Sequence, residues 1–272
     1  MESIVNKLIE YSNLTIVDFD VTSRNELEVH NRKTSYNIMT YLQKGSADII
    51  IGDKTYHAGP GTAVIIPSNT KHDHIQTTSE TSIFFWWHFY FTIADTFNMM
   101  KVFDFPIMFE IYDRAKFESV FKRYSELAKK NSSLEHVILK KALSFEVMAM
   151  VFGSAMEKKN YDNDGAIPHN FIEILSYIVE NSSNMSGLKE LSHKFNMHPT
   201  YISNQFKRYF GTSPIQLQQN IQLANAKSLL RTRELRINEI ADMLGYDSIY
   251  AFSRFFSAKA GMSPTAFRKN NL

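Results

Sequence analysis

A degenerate repeat in the last third of the 272-residue chain restricts the available folds more than any other feature. Leu188-Lys-Glu-Leu-Ser-His-Lys-Phe195 parallels Ile237-Asn-Glu-Ile-Ala-Asp-Met-Leu244 at an offset of 49 residues. Ile202-Ser203-x-x-Phe206 parallels Phe252-Ser253-x-x-Phe256, and Gly211-Thr-Ser-Pro214 parallels Gly261-Met-Ser-Pro264, both at an offset of 50. The second copy therefore has one extra residue in its turn. Each copy reads as a short helix with apolar steps of three and four, a turn, and a second helix. Ser192 or Ala241 is small where the second helix must approach closely. Asn196 or Gly245 tolerates the positive φ of a turn. Pro199 suits a first helical turn, and Ser248 is a good N-cap.

The second helix of each copy buries Ile202 and Phe206, or Phe252 and Phe256, which leaves its outer face free. On that face stand Thr200, Ser203, Asn204 and Lys207 in the first copy and Ile249, Tyr250, Ser253 and Arg254 in the second. An α-helix fits the major groove of DNA, Asn can pair bidentately with adenine, Thr and Ser reach several base edges, and Lys meets guanine or phosphate. A plain solvated surface is the competing reading of each polar residue, and Arg254 is open between packing, phosphate contact and base contact. A helix over 214–231, roughly 25 Å long, joins the copies and spaces them by about one turn of DNA. A helical bundle with a decayed duplication is the alternative architecture. Charge favours the DNA reading: residues 166–272 hold twelve Lys and Arg against seven Asp and Glu, a net of +5, whereas residues 1–165 carry −3.

The rest of the chain is different in kind. Short runs between residues 36 and 91 alternate with turn signals such as Gly52-Asp53 and Gly59-Pro60-Gly61, the pattern of a small β-barrel or sandwich. Amphipathic helices are predicted over 114–130 and from Ser133 to about Glu157. The polar, aperiodic stretch through Asp162 and Gly165 marks a linker at 161–168, between a domain at 1–160 and another at 169–272. The later domain reads as helix throughout, at 169–181, 186–195, 199–210, 214–231, 236–244, 248–260 and 264–269. The fold class is therefore α+β. With no cysteine, disulfides, thiolate catalysis and Cys-ligated zinc are excluded. Residues 1–20 lack a signal-peptide pattern and no segment is long and apolar enough for a membrane span, so a cytoplasmic location without membrane partners is expected.

Ile237–Leu244, Gly245-Tyr246, Phe252-Ser253-Arg254-Phe255-Phe256, Gly261-Met-Ser-Pro264 and Phe267-Arg268 closely follow one family signature. Residues 170–270 resemble the DNA-binding domain of the AraC/XylS family of transcription regulators. The resemblance implies an N-terminal cupin-like sensor barrel followed by dimerisation helices, a homodimer, double-stranded DNA as target and RNA polymerase as a partner. It also implies a small-molecule effector. Arg32 resembles the inducer-binding arginine of the family's arabinose-type sensors. His74 falls where those sensors have a pocket tyrosine, and Trp86 where they have a tryptophan that stacks on sugar.

The residues support an effector pocket on their own terms. Along 86–91, alternation puts Trp86, His88 and Tyr90 on one face and Trp87, Phe89 and Phe91 on the other. The first face is amphipathic and suits a pocket; the second is apolar and suits packing under helices. Arg32, His74, Trp86 and His88 are accordingly the candidate ligand residues. A neutral saccharide, such as a hexose or a galactoside like lactose, is expected, because no cluster of like charges is evident around them. His72-x-His74 is a cupin metal pattern, but no acid follows until Glu80 and His88 reads as a core-strand residue, so no metal or cofactor is assigned. A non-enzymatic regulator that acts as an activator is the leading reading. A metal-dependent cupin enzyme tethered to DNA, an architectural protein, and a regulator answering to a non-sugar metabolite or stress are the alternatives.

Overall fold

The computed structural model describes residues 2–95, 97–103, 105–128, 133–159, 167–183, 187–232 and 234–271. The chain forms two compact units that do not follow chain order. One comprises Leu14–Phe91 and Phe103–Ala166, the other Met1–Asn13, Thr92–Val102 and Ile167–Leu272. The linker expected at 161–168 lies, up to residue 166, outside the described residues.

The strand-rich unit is built on β1 (Ser12–Arg24), β2 (Glu28–Arg32), β3 (Asn37–Lys44), β4 (Ala47–Ile51), β5 (Lys54–Ala58), β6 (Thr62–Ile66), β7 (His72–Gln76), β8 (Ser82–Ile93) and β10 (Met108–Glu110). One sheet runs β1-β8-β3-β6-β10, with the short β9 (Phe97–Asn98) added to β8, and the other runs β2-β7-β4-β5. The expected barrel is thus two sheets, and among the described residues no ladder closes one onto the other. Ile38, Leu42, Ile49, Val64 and Ile66 form one buried cluster of this unit.

The opposite face of the larger sheet is covered by α3 (Arg114–Ala128), with α4 (Leu134–Lys159) packed on α3. Both helices fall close to the predicted spans. Trp87 and Phe85 meet Phe121 with ring centroids 5.2 and 5.0 Å apart, and Phe91 meets Phe152 at 5.5 Å. Tyr41 donates its hydroxyl to Glu118 Oε1 at 2.7 Å, which anchors β3 to α3. The alternation expected along β8 therefore holds: Trp87, Phe89 and Phe91 are buried, and two of these three rings stack on helix side chains.

The helical unit contains α5 (His169–Glu180), α6 (Leu188–Phe195), α7 (Pro199–Phe210), α8 (Pro214–Leu230), α9 (Ile237–Met243), α10 (Ile249–Ala260) and α11 (Pro264–Asn270). Every predicted helix of the repeat is present, with its ends displaced by two residues at most. This unit also holds two elements that the sequence reading overlooks, α1 (Glu2–Glu10) and α2 (Met100–Phe103). α1 packs on α5, with Leu8 buried and Lys7 Nζ 3.4 Å from Glu180 Oε2. No helix among the described residues is long and apolar enough to cross a membrane.

Candidate nucleic-acid interface and effector site

The two copies of the repeat are held by matching local chemistry. Asn196 (φ 50°) and Gly245 (φ 77°) make the turns, as the sequence requires. Gly211 and Gly261, both at φ 74°, end α7 and α10 in the left-handed conformation. Ser213 and Ser263 then accept from the backbone N–H of Gln216 and Ala266, each followed by a proline in the first turn. Ser248 caps α10 by accepting from Ala251 N–H at 3.2 Å. α7 is capped by His198, which accepts from Thr200 N–H at 3.3 Å. That cap is unforeseen because histidine is not among the usual capping residues.

α8 carries both copies. Its Leu217, Ile221, Ala226 and Leu230 are buried, and it touches α5 and α7 at one end and α9, α10 and α11 at the other. Ile202, Phe206 and Phe210 fix the inner face of α7; Phe252 and Phe256 fix that of α10. The outer faces are consequently open. Thr200, Asn204 and Lys207 on α7 and Ile249, Tyr250 and Arg254 on α10 are exposed, while Ser203 and Ser253 are half-buried beside them. Tyr250 is 83% exposed, an unusual state for a large aromatic side chain with no partner to cover it. Tyr201, exposed next to Thr200, joins this surface and is missing from the predicted set.

In the strand-rich unit, three of the four candidate effector residues make direct contact and the fourth lies close by. Arg32 Nη2 is 3.3 Å from His88 Nε2. The Trp86 and His88 rings are 4.8 Å apart, and Trp86 Nε1 donates to Thr22 Oγ1 at 2.9 Å. Tyr36 stacks on His88 at 4.5 Å and meets Tyr90 edge-on at 6.5 Å. Tyr36 and Thr22 are the members that sequence reasoning misses; Tyr36 shares the parity of Ile38 along the strand, a signal that could have found it. His74 lies on β7 with its ring 6.3 Å from Phe84, and Arg32 on the neighbouring strand pairs in register with His72. His74 also lines a cavity of about 10 Å³ with Leu27, Leu42 and Phe84, room for about one water and far too small for a sugar.

Arg32, His72, His74 and His88 come together, because β2 pairs with β7 and Arg32 reaches across to β8. Burial, with Arg32 adding repulsion, pushes the His88 imidazole down to about 4. His74 is likewise pushed down to about 4 by burial, then by His72 and Arg32. His72 is lowered as well, chiefly by burial. All three imidazoles are therefore neutral at pH 7 beside a charged guanidinium. Among the described residues, no three His, Asp, Glu or Cys side chains converge in a way that could hold a metal ion.

The comparisons with known proteins agree with this geometry. A helix-turn-helix domain family matches residues 191–270 and a cupin domain family matches residues 23–88. The raffinose operon transcriptional regulatory protein RafR of Pediococcus pentosaceus is 34% identical over 96 residues, 35% of this chain and 35% of that protein. YdiP of Escherichia coli, an uncharacterised helix-turn-helix regulator, is 22% identical over 246 residues, covering 89% of this chain and 80% of its own. RhaR of Yersinia pestis, named as a transcriptional activator, is 29% identical over 96 residues, 35% of this chain and 33% of that protein. The match thus spans about a third of RafR and of RhaR. Fold, open recognition faces and domain matches together define a DNA-binding transcription regulator with a cupin-like region. Residues 191–270 carry an AraC-type helix-turn-helix domain and residues 23–88 a cupin domain.

Proposed function

We propose that this regulator is an activator controlled by a small saccharide of the galactoside type, which binds at Trp86, His88 and Arg32. The observation that carries the DNA half is the pairing of buried inner faces with open outer faces on both α7 and α10. Asn204 and Thr200 would read bases in one major groove, Ile249, Tyr250 and Ser253 in the next, with Lys207 and Arg254 on phosphate or guanine. One subunit would then recognise a non-palindromic site of two short half-motifs. A half-buried Trp86 whose ring lies 4.8 Å from that of His88 supports the saccharide, since indole faces stack on apolar sugar faces. RafR, named for a raffinose operon, and RhaR, named as an activator, point the same way.

A homodimer fits α4, on which Leu134, Ile138, Phe145 and Met156 form exposed apolar positions on a helix about 39 Å long. RNA polymerase as a partner and a cytoplasmic location follow from the family. Residues 1–160 and 169–272 remain the proposed sensor and DNA-binding segments, with 161–168 as linker. Selection of bound sites from randomised DNA by the full chain, at rising salt, tests the central claim. A defined bipartite motif whose affinity falls steeply with salt is expected. Uniform recovery of all sequences would refute it.

A further inference from the structure

We propose that the effector carries an anionic group, a carboxylate or a phosphate, seated on Arg32 with His88 and the two β7 histidines around it. This deepens the saccharide reading and rests on it for the location of the site, while replacing the neutral sugar expected from sequence by an acidic or phosphorylated one.

Arg32 is half-buried, and among the described residues no carboxylate forms an ion pair with it. Its polar neighbour is His88 Nε2 at 3.3 Å, an imidazole already held neutral. The acids that could have served are turned to other work. Asp73 accepts from the backbone N–H of Asn31 at 2.7 Å and pairs with His30 at 3.4 Å. Asp18, the acid that acts on His88, accepts from Phe19 N–H at 2.9 Å and is exposed. Glu28 lies against the exposed His30 at 2.7 Å.

A half-buried arginine with no carboxylate partner leaves its charge to a ligand, and an anionic group that supplies the counter-charge gains a charge-assisted bond there. Arginine's planar fork matches carboxylate and phosphate oxygens bidentately, with bonds about twice as strong as neutral ones. A neutral imidazole has one N–H; that of His72 faces the Thr70 carbonyl at 3.1 Å, which leaves those of His74 and His88 for the remaining oxygens. Trp86 and Tyr36, flanking His88 at 4.8 and 4.5 Å, supply the apolar walls for the rest of the molecule. A neutral sugar would leave Arg32 uncompensated.

Imidazole resonances of His88 and His74 in the full chain, assigned by His→Gln variants, report on the site. Acetate, inorganic phosphate, D-galacturonate and D-galactose are titrated at constant ionic strength held with potassium chloride. Expected are saturable shifts with acetate or phosphate, and an affinity for D-galacturonate at least about tenfold above that for D-galactose. Acetate against phosphate distinguishes the two headgroups. Arg32→Gln should abolish the anion response and Arg32→Lys should restore part of it. If Arg32→Gln fails to fold, the wild-type ratio of D-galacturonate to D-galactose decides alone. Shifts with D-galactose equal to or greater than those with the anions overturn the inference and leave the saccharide reading standing. Anion binding with D-galacturonate no better than acetate supports the inference and removes the saccharide. No saturable shift with any anion overturns it outright.

Discussion

Lys101 Nζ donates to the main-chain carbonyl of Phe210 at 3.2 Å, across 109 residues of sequence. The bond sits at the C-terminus of α7, where carbonyls lack helical partners and the helix dipole favours a cation. Phe97, four residues earlier, packs edge-on to Phe210 at 5.7 Å. Segment 92–102 therefore supports the first recognition helix from outside the repeat. Lys101→Ala should cost about 1 kcal/mol in urea unfolding of the helical unit, and Lys101→Arg should cost less. Gly211→Ala should be worse than either, because its φ of 74° strains an L-residue and the new Cβ would strike the Lys101 ammonium. Equal stability of Lys101→Ala and wild type would show that the contact contributes nothing.

Base reading and phosphate contact on α7 separate by mutation. Asn204→Ala should relax specificity in one half-motif and cost about 1–3 kcal/mol at its preferred base. Lys207→Ala should weaken cognate and random DNA alike and flatten the salt dependence by about one unit of slope. Both residues are exposed, so neither change should alter folding. Binding isotherms on cognate and scrambled duplexes give the answer, and equal losses on both for Asn204→Ala would remove its base-reading role.

Adjacent tryptophans should behave oppositely. Trp87 is 1% exposed and packed on Phe121, so Trp87→Ala should destabilise the strand-rich unit by about 3–5 kcal/mol. Trp86 is half-buried on the other face, so Trp86→Ala should leave the unit folded and DNA binding intact while abolishing the effector response. Thermal melting and calorimetric titration of the two variants separate stability from binding. An unchanged effector affinity in folded Trp86→Ala would exclude Trp86 from the site.

Acid should loosen the strand-rich unit before carboxylates titrate out. His74 and His88 are held near 4 when folded but return to about 6.5 when unfolded. Between these values the unfolded chain binds more protons, so stability falls as pH drops from about 6.5 towards 4. The groups responsible are burial and the Arg32 charge, opposed at His88 by Asp18. His74→Gln with His88→Gln should flatten the pH profile of the melting temperature in that window. A profile as steep in the double variant as in wild type would place the acid sensitivity elsewhere.

The sequence by itself determined the helical unit's repeat almost completely. Periodicity, capping residues and turn glycines are local signals, and in both copies each agrees with the structure: Asn196 and Gly245 turn the chain, and Gly211 and Gly261 end the helices. Side-chain parity likewise placed Trp87 and Trp86 on opposite faces of β8, because a strand's alternation is fixed by its backbone. It did not reveal α1 or β1: α1 is amphipathic but only nine residues long, and charged residues from Glu2 to Asp20 interrupt the apolar positions of both elements.

Tertiary structure alone decided what lies across a gap in sequence. Strand pairing set β2 against β7 and brought Arg32 beside His88, 56 residues away, which gathered one arginine and three histidines that lie scattered along the sequence. It also gathered Met1–Asn13 and Thr92–Val102 with the C-terminal helices instead of with their sequence neighbours. Such choices depend on which surfaces fit after the local elements exist. Long-range packing energy, summed over many contacts, makes them, and no single segment of sequence displays it.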